Sequence, residues 1–206
     1  MKDLIKFNSL RGLFLVFVGI VALVYFNQSS LSDYLDPSTA NMPRAHLLLA
    51  ENEYRRDKLK ESYREIDLGI KSLYAIEDYS DSVANYYIEL AIKELELIKD
   101  EIINDSVNIE DMNHAFFETF NAMAYVNLRL SELRLKEDRK MKALEYFKNS
   151  FANLKLSMTY ADHDYVKKEE KVISEMRHIL KEFKSAENFE GFDYEQLNSE
   201  IEALME

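Results

Sequence analysis

Turn-forming residues are almost absent from most of this 206-residue chain. Both prolines, Pro37 and Pro43, lie in the first quarter of the sequence, and beyond them only Gly69 and Gly191 interrupt it. Because β-hairpins depend on glycine, proline and similar turn residues, a segment of this composition leaves little room for them. The scarcity therefore predicts an all-α fold.

The spacing of apolar side chains supports the same fold class. They recur at alternating intervals of three and four residues, which places them on one face of a helix. The first helix is expected over residues 45–77, and the third, near residues 109–135, is the most apolar and is expected at the centre. Six antiparallel helices are predicted, with breaks near residues 78–80, 104–106, 136–140, 162–164 and 187–192.

An uncharged apolar run extends from Gly12 to Phe26, after Lys2, Lys6 and Arg11. At about 1.5 Å per residue the run covers roughly 22 Å, somewhat less than the hydrocarbon core of a bilayer. It fits a transmembrane signal anchor, a signal peptide cleaved near Ser30–Ser32, or a buried helix of a soluble protein. We favour the anchor, because the run is rich in large apolar residues and the cleavage site lacks alanine.

The charges around this run predict its orientation. The basic residues precede it, and the first charges after it are Asp33 and Asp36, so the N-terminus is expected in the cytoplasm. A proline-bearing polar stretch then separates the run from the helices. The predicted order is a cytoplasmic N-terminus at residues 1–11, the anchor at 12–26, a linker at 27–44 and an extracytoplasmic, periplasmic or extracellular helical domain at 45–206.

Charge and cysteine content exclude several functions. The formal net charge is −12, and an acidic domain repels the phosphate backbone, so no nucleic-acid partner is expected. The chain contains no cysteine, which excludes disulfides, thiol nucleophiles and thiolate metal sites. The absence of cysteine also suits a periplasmic or surface protein.

Two helical segments look alike when the chain is shifted by 59 residues, which aligns Ala84 with Ala143. The second segment resembles the second helix of a tetratricopeptide hairpin, because Ala143, Phe147 and Ser150 follow its small–aromatic–small spacing. The resemblance covers about 20 residues per hairpin and implies stacked helical hairpins. It departs from the family at Arg134, where an aromatic residue is expected, in the missing closing proline, and in the period.

Four histidines, at positions 46, 114, 163 and 178, are candidate metal ligands. Glu175 and His178 have the Glu-x-x-His spacing of di-iron bundles, but the nearest second copy is Asp111 with His114, whose carboxylate is shorter. Asp162–Asp164 suits a surface cation site or a helix cap. The interpretation is that these groups lie on solvated faces, so no metal site and no cofactor are predicted.

The chain lacks a nucleophile elbow and a glycine-rich phosphate loop, so we predict a protein without catalytic residues. The third and fourth helices concentrate aromatic side chains, which suits core packing or a groove that accepts a helix or an apolar ligand. The sequence predicts a membrane-anchored extracytoplasmic interaction or scaffold module of an envelope complex. The alternatives are a helical ligand-binding or sensing domain, anchored or secreted after signal cleavage, and a di-metal helical-bundle enzyme.

Overall fold

The computed structural model describes residues 35–77, 79–104, 106–182 and 193–205. The chain divides into the units Met1–Asp36 and Pro37–Glu206, and all of the described helices lie in the second unit. The predicted anchor, residues 12–26, lies outside the described residues, and so does most of the predicted linker. None of the described helices combines the length and the apolar character that crossing a bilayer requires.

The described part of the chain contains seven α-helices and no β-strand, which confirms the all-α prediction. Polar caps begin three of the helices. Asn108 accepts a hydrogen bond from the backbone N–H of Glu110, and Asp193 accepts one from Gln196, both as the sequence suggested. The helices are α1 (Met42–Tyr54), α2 (Leu59–Glu77), α3 (Ser82–Ile103), α4 (Ile109–Lys136), α5 (Lys140–Ser157), α6 (His163–Glu182) and α7 (Tyr194–Glu202).

The single helix predicted over residues 45–77 is wrong, because the chain reverses between α1 and α2. Asp57 adopts a left-handed backbone with φ of 61°. The N–H of Lys58 donates to the carbonyl of Glu53 at 3.0 Å, which closes the end of α1. Aspartate enters the left-handed region more readily than most residues, so this turn forms without glycine or proline and leaves little trace in the sequence.

The start of α1 lies inside the stretch that was predicted as linker. The helix begins at Met42, and Pro43 occupies its first turn, where a missing N–H costs no intrahelical hydrogen bond. A short 3₁₀ turn, Thr39–Asn41, precedes it, and Ala40 is fully buried there. The last residues of residues 27–44 therefore belong to the helical domain.

Helix α4 is central, as the sequence predicted. It is buried along most of its length, and α3, α5 and α7 pack against it. Near its N-terminal end the rings of Phe116 and Phe120 both contact Tyr160, with centroids 5.6 Å apart in each pair. The Tyr160 hydroxyl donates to a carboxylate oxygen of Glu51 at 2.6 Å, so this aromatic cluster also ties α1 to the core.

Helices α1 and α2 approach closely at Gly69, where an added Cβ would lie 3.2 Å from a methyl carbon of Leu47. We expect Gly69→Leu to lower the free energy of unfolding by about 2 kcal/mol, because overpacking forces neighbouring side chains out of place. Gly69→Ala should change it by less than about 1 kcal/mol, since alanine's helix propensity offsets the small shift it demands. Urea denaturation of both variants checks this, and an unchanged midpoint for Gly69→Leu would contradict it.

The turn between α1 and α2 has a counterpart between α4 and α5. Asp138, 81 residues after Asp57, also has a left-handed backbone, with φ of 58°. Across the first hairpin the Ser62 hydroxyl donates to the Ala50 carbonyl at 2.9 Å. Across the second the Ser131 hydroxyl donates to the Ala143 carbonyl at 2.8 Å. Ser131 and Ala143 are the positions 81 residues after Ala50 and Ser62, so serine and alanine have exchanged roles in the same contact.

The correspondence extends to a third helix. Helix α3 follows Asp81 and α6 follows Asp162, again 81 residues later. The unit α1–α2–α3 therefore matches the unit α4–α5–α6, and the predicted 59-residue repeat, which aligns α3 with α5, is wrong. Apolar residues on any two helices coincide at many shifts, whereas the two turns match at only one. The repeated unit has three helices, unlike the 34-residue, two-helix tetratricopeptide unit.

Candidate functional site

The structure keeps the histidines of the described residues apart. His46 Nδ1 lies 2.8 Å from a carboxylate oxygen of Glu65, between α1 and α2. His178 Nε2 lies 3.2 Å from Glu182 on the exposed side of α6, and His114 is exposed on α4. No group of three or more His, Asp or Glu side chains that could hold a metal ion occurs within the described ranges.

A groove of about 200 Å³ lies between the start of α3 and the C-terminal half of α4. Its charges neutralise one another: Arg129 contacts Asp81 at 2.8 Å and Glu132 at 2.7 Å. Although partial burial by itself raises the pKa of Asp81, the Ala84 N–H and the Arg129 guanidinium hold that pKa below its usual value. The groove is smaller than the roughly 300–1,000 Å³ typical of small-molecule sites and offers no free charge to an ion.

The aromatic side chains of α4 and α5 mostly pack the core instead of lining an open groove. Those that are buried are Phe116, Phe117, Phe120, Tyr125, Tyr146 and Phe147. Phe151 and Tyr160 are half-buried. The groove that the sequence suggested on these helices is therefore not formed by them.

Helix α3 instead carries an apolar surface that nothing in the described part of the chain covers. The side chains of Val83, Tyr86, Leu90 and Leu97 are 41%, 57%, 36% and 57% exposed. Their spacing of three, four and seven residues places them on one side of the helix, over roughly 21 Å of its length. We call these four residues the α3 face.

The α3 face is held in place from beneath by aromatic contacts. The ring of Tyr86 lies edge-on against Tyr87, with centroids 5.3 Å apart, and Tyr87 contacts Tyr125 of α4 at 5.7 Å. The Tyr87 hydroxyl also donates to Glu202 of α7 at 3.2 Å. Helix α3 is therefore anchored to both α4 and α7, and its exposed side is presented on a rigid support.

Acidic side chains surround the α3 face. Helix α3 contains two lysines against five acids, which are Glu89, Glu94, Glu96, Asp100 and Glu101. One of the lysines, Lys99, is already paired with Glu96 at 2.5 Å and with Asp67 of α2 at 3.4 Å. Apolar residues in an acidic surround define the chemistry of this surface.

The matching positions of α6 show that the fold does not require apolar residues there. Eighty-one residues after the α3 face the chain carries Asp164, Lys167, Lys171 and His178, which are all polar or charged. Lys171 forms an ion pair with Glu200 of α7 at 2.7 Å. The apolar character is specific to α3, and it was not predicted from the sequence because these residues alternate with buried ones in the same helical pattern.

A second feature is a buried polar cluster between α4, α5 and α6, which we call the Glu169 cluster and which consists of Asn121, Ser157 and Glu169. All three residues are fully buried. The Ser157 hydroxyl donates to Glu169 Oε1 at 2.7 Å. Burial raises the pKa of Glu169 from 4.5 to about 7, although Ser157 and Asn121 partly oppose the rise.

Comparison with protein-family models, curated proteins and solved structures finds no match to this chain. The class of protein is therefore defined by its own architecture. It is an all-α protein whose described residues form two similar three-helix units and a closing helix, with an exposed apolar face on α3.

Proposed function

We propose that this protein is a membrane-anchored, extracytoplasmic interaction module that binds a partner protein through the α3 face. The observation that carries the proposal is the line of exposed apolar side chains on α3, since contiguous apolar patches on a soluble surface mark interaction sites. The apolar run at residues 12–26 supplies the anchor in this proposal, with the N-terminus in the cytoplasm. The small, charge-neutralised groove makes ligand binding the weaker alternative.

The partner that suits the α3 face is an amphipathic helix with basic flanks. Apolar side chains at intervals of three, four and seven residues match the anchor spacing of a helix that lies along another helix. The acids around the face favour lysine and arginine on the partner and disfavour acidic partners. They also disfavour an anionic lipid surface, so we propose a protein partner.

Leu90→Glu should abolish partner binding, with a loss of affinity of about 100-fold or more, because it places a charge at the centre of an apolar contact. The measurement is recovery of partner with the full-length chain from gently solubilised membranes, followed by titration of the identified partner. Leu90 is 36% exposed, so the fold should survive, and circular dichroism checks that it does.

Met141→Glu is the matched control, because Met141 is an apolar residue 63% exposed on α5, outside the α3 face. Partner recovery should be normal with Met141→Glu and lost with Leu90→Glu or Leu97→Glu. Equal recovery with all variants would overturn the α3 face as the binding surface. Recovery of only further copies of this chain would replace the partner protein by self-association.

A further inference from the structure

We propose that Glu169 makes α6 a pH-responsive element, which is held against α4 and α5 while the carboxyl is protonated and loosens when the carboxyl ionises. This role of the Glu169 cluster is independent of binding at the α3 face.

The geometry of the cluster favours the neutral carboxyl. Glu169 is 0% exposed, and only its Oε1 receives a well-formed hydrogen bond, from Ser157. Its Oε2 is buried without a hydrogen-bond partner, and the nearby Asn121 amide completes no hydrogen bond of ordinary geometry. A buried carboxylate needs several donors or a cation, whereas a carboxylic acid needs far less.

No cation among the described residues compensates Glu169. The groups that face it are Asn121 from α4 and Ser157 from α5, and both are uncharged. On the side of α6 that meets α7, the charged groups are Lys171 and Glu175 with Glu200, and they bear on one another, not on Glu169. Removal from water is therefore the dominant influence on Glu169.

The first three-helix unit contains an internal comparison. The positions 81 residues before Ser157 and Glu169 are Ile76 and Ile88, which are both buried apolar residues. The same contact is thus apolar between α2 and α3 and ionisable between α5 and α6. The fold accepts an isoleucine pair at this place, so the acid is not needed to build the helix contact.

The rest of the α6 contact is modest, which lets one group matter. The helix buries one apolar stripe, consisting of Val172, Ile173, Met176 and Ile179, and its remaining surface is largely charged. At its start Tyr165 contacts Phe117 of α4, with centroids 5.2 Å apart. Helices attached by few buried side chains open more readily than the core does.

The sign of the effect follows from the pKa of Glu169 in the two states. A folded-state pKa of about 7 against 4.5 for the released carboxyl means that the folded protein holds a proton which the opened state has lost. The stabilisation is complete below pH 4.5 and is lost as the pH rises through 7. Opening of α6 should therefore increase by about 70-fold between pH 5 and pH 8, and level off above pH 7.

Hydrogen–deuterium exchange of the full-length chain at pH 5, 6, 7 and 8, corrected for intrinsic exchange rates, tests the proposal. Protection of α6 amides should fall with pH, while protection of α3 amides stays level. Glu169→Gln should flatten the α6 response, which also separates Glu169 from His178 and other groups that titrate in this range. An unchanged α6 response in Glu169→Gln, or an equal fall in α3, would overturn the proposal.

A second variant keeps the test decisive if Glu169→Gln folds poorly. The double variant Ser157→Ile with Glu169→Ile copies the pair of the first unit and should give an α6 that is insensitive to pH. A direct titration of the Glu169 carboxyl by NMR should give a midpoint near 7, and a midpoint below 5 would refute the mechanism.

Discussion

Replacing Phe120 by alanine should lower the free energy of unfolding by about 3–5 kcal/mol, the usual cost of truncating a buried aromatic side chain. Phe120 is 0% exposed on the central helix α4. Its ring contacts Phe116 at 6.1 Å and Tyr160 at 5.6 Å, so the truncation leaves a cavity that these rings cannot easily fill. Urea denaturation followed by circular dichroism measures the loss.

Phe151→Ala is the control for this experiment, because Phe151 is half-buried on α5 and carries the Lys155 ammonium 5.8 Å above its ring centroid. Removing it should cost less than half as much, since less apolar surface returns to water. Similar losses for the two variants would show that the region around Phe116 and Tyr160 is not the main core.

Arg134→Ala should lower the free energy of unfolding by about 3 kcal/mol, because Arg134 is the largest fully buried side chain in the described part of the chain. Its Nη1 donates to a carboxylate oxygen of Glu137 at 2.6 Å, near the end of α4. Alanine removes both the packing of the long side chain and the buried ion pair. The measurement is again the midpoint of urea denaturation.

Two further variants separate the contributions at Arg134. Arg134→Met keeps much of the volume without the charge and should recover part of the loss, because buried ion pairs are often replaceable by apolar side chains. Arg129→Ala removes an arginine that is 38% exposed and should cost no more than about 1 kcal/mol. If Arg129→Ala proved as harmful as Arg134→Ala, burial would not explain the effect.

Equivalent helices of the two units have different proposed roles. In the first three-helix unit, α3 has an apolar inner contact at Ile88 and an apolar outer face. In the second unit, α6 has an ionisable inner contact at Glu169 and a charged outer face that includes Lys171. One helix is therefore suited to binding and the other to responding to pH, on the same underlying packing.

Much of the fold could be predicted from residue spacing, but two parts of it could not. The break between α1 and α2 was missed because Asp57 forms a left-handed turn that carries neither glycine nor proline. The repeat was misaligned because apolar periodicity is similar on every helix. Only the hydrogen bonds of Ser62 and Ser131 and the paired turns distinguish the 81-residue correspondence from a chance match.

By itself the sequence determined that the chain is helical, where most helices end, and that α4 lies at the centre. These properties depend on local spacing and on turn residues, which are read along the chain. The tertiary structure decided which apolar side chains remain exposed, as at Leu90, and which acid is buried, as at Glu169. Exposure and desolvation depend on the neighbours that other helices bring to a side chain, and no short stretch of sequence contains that information.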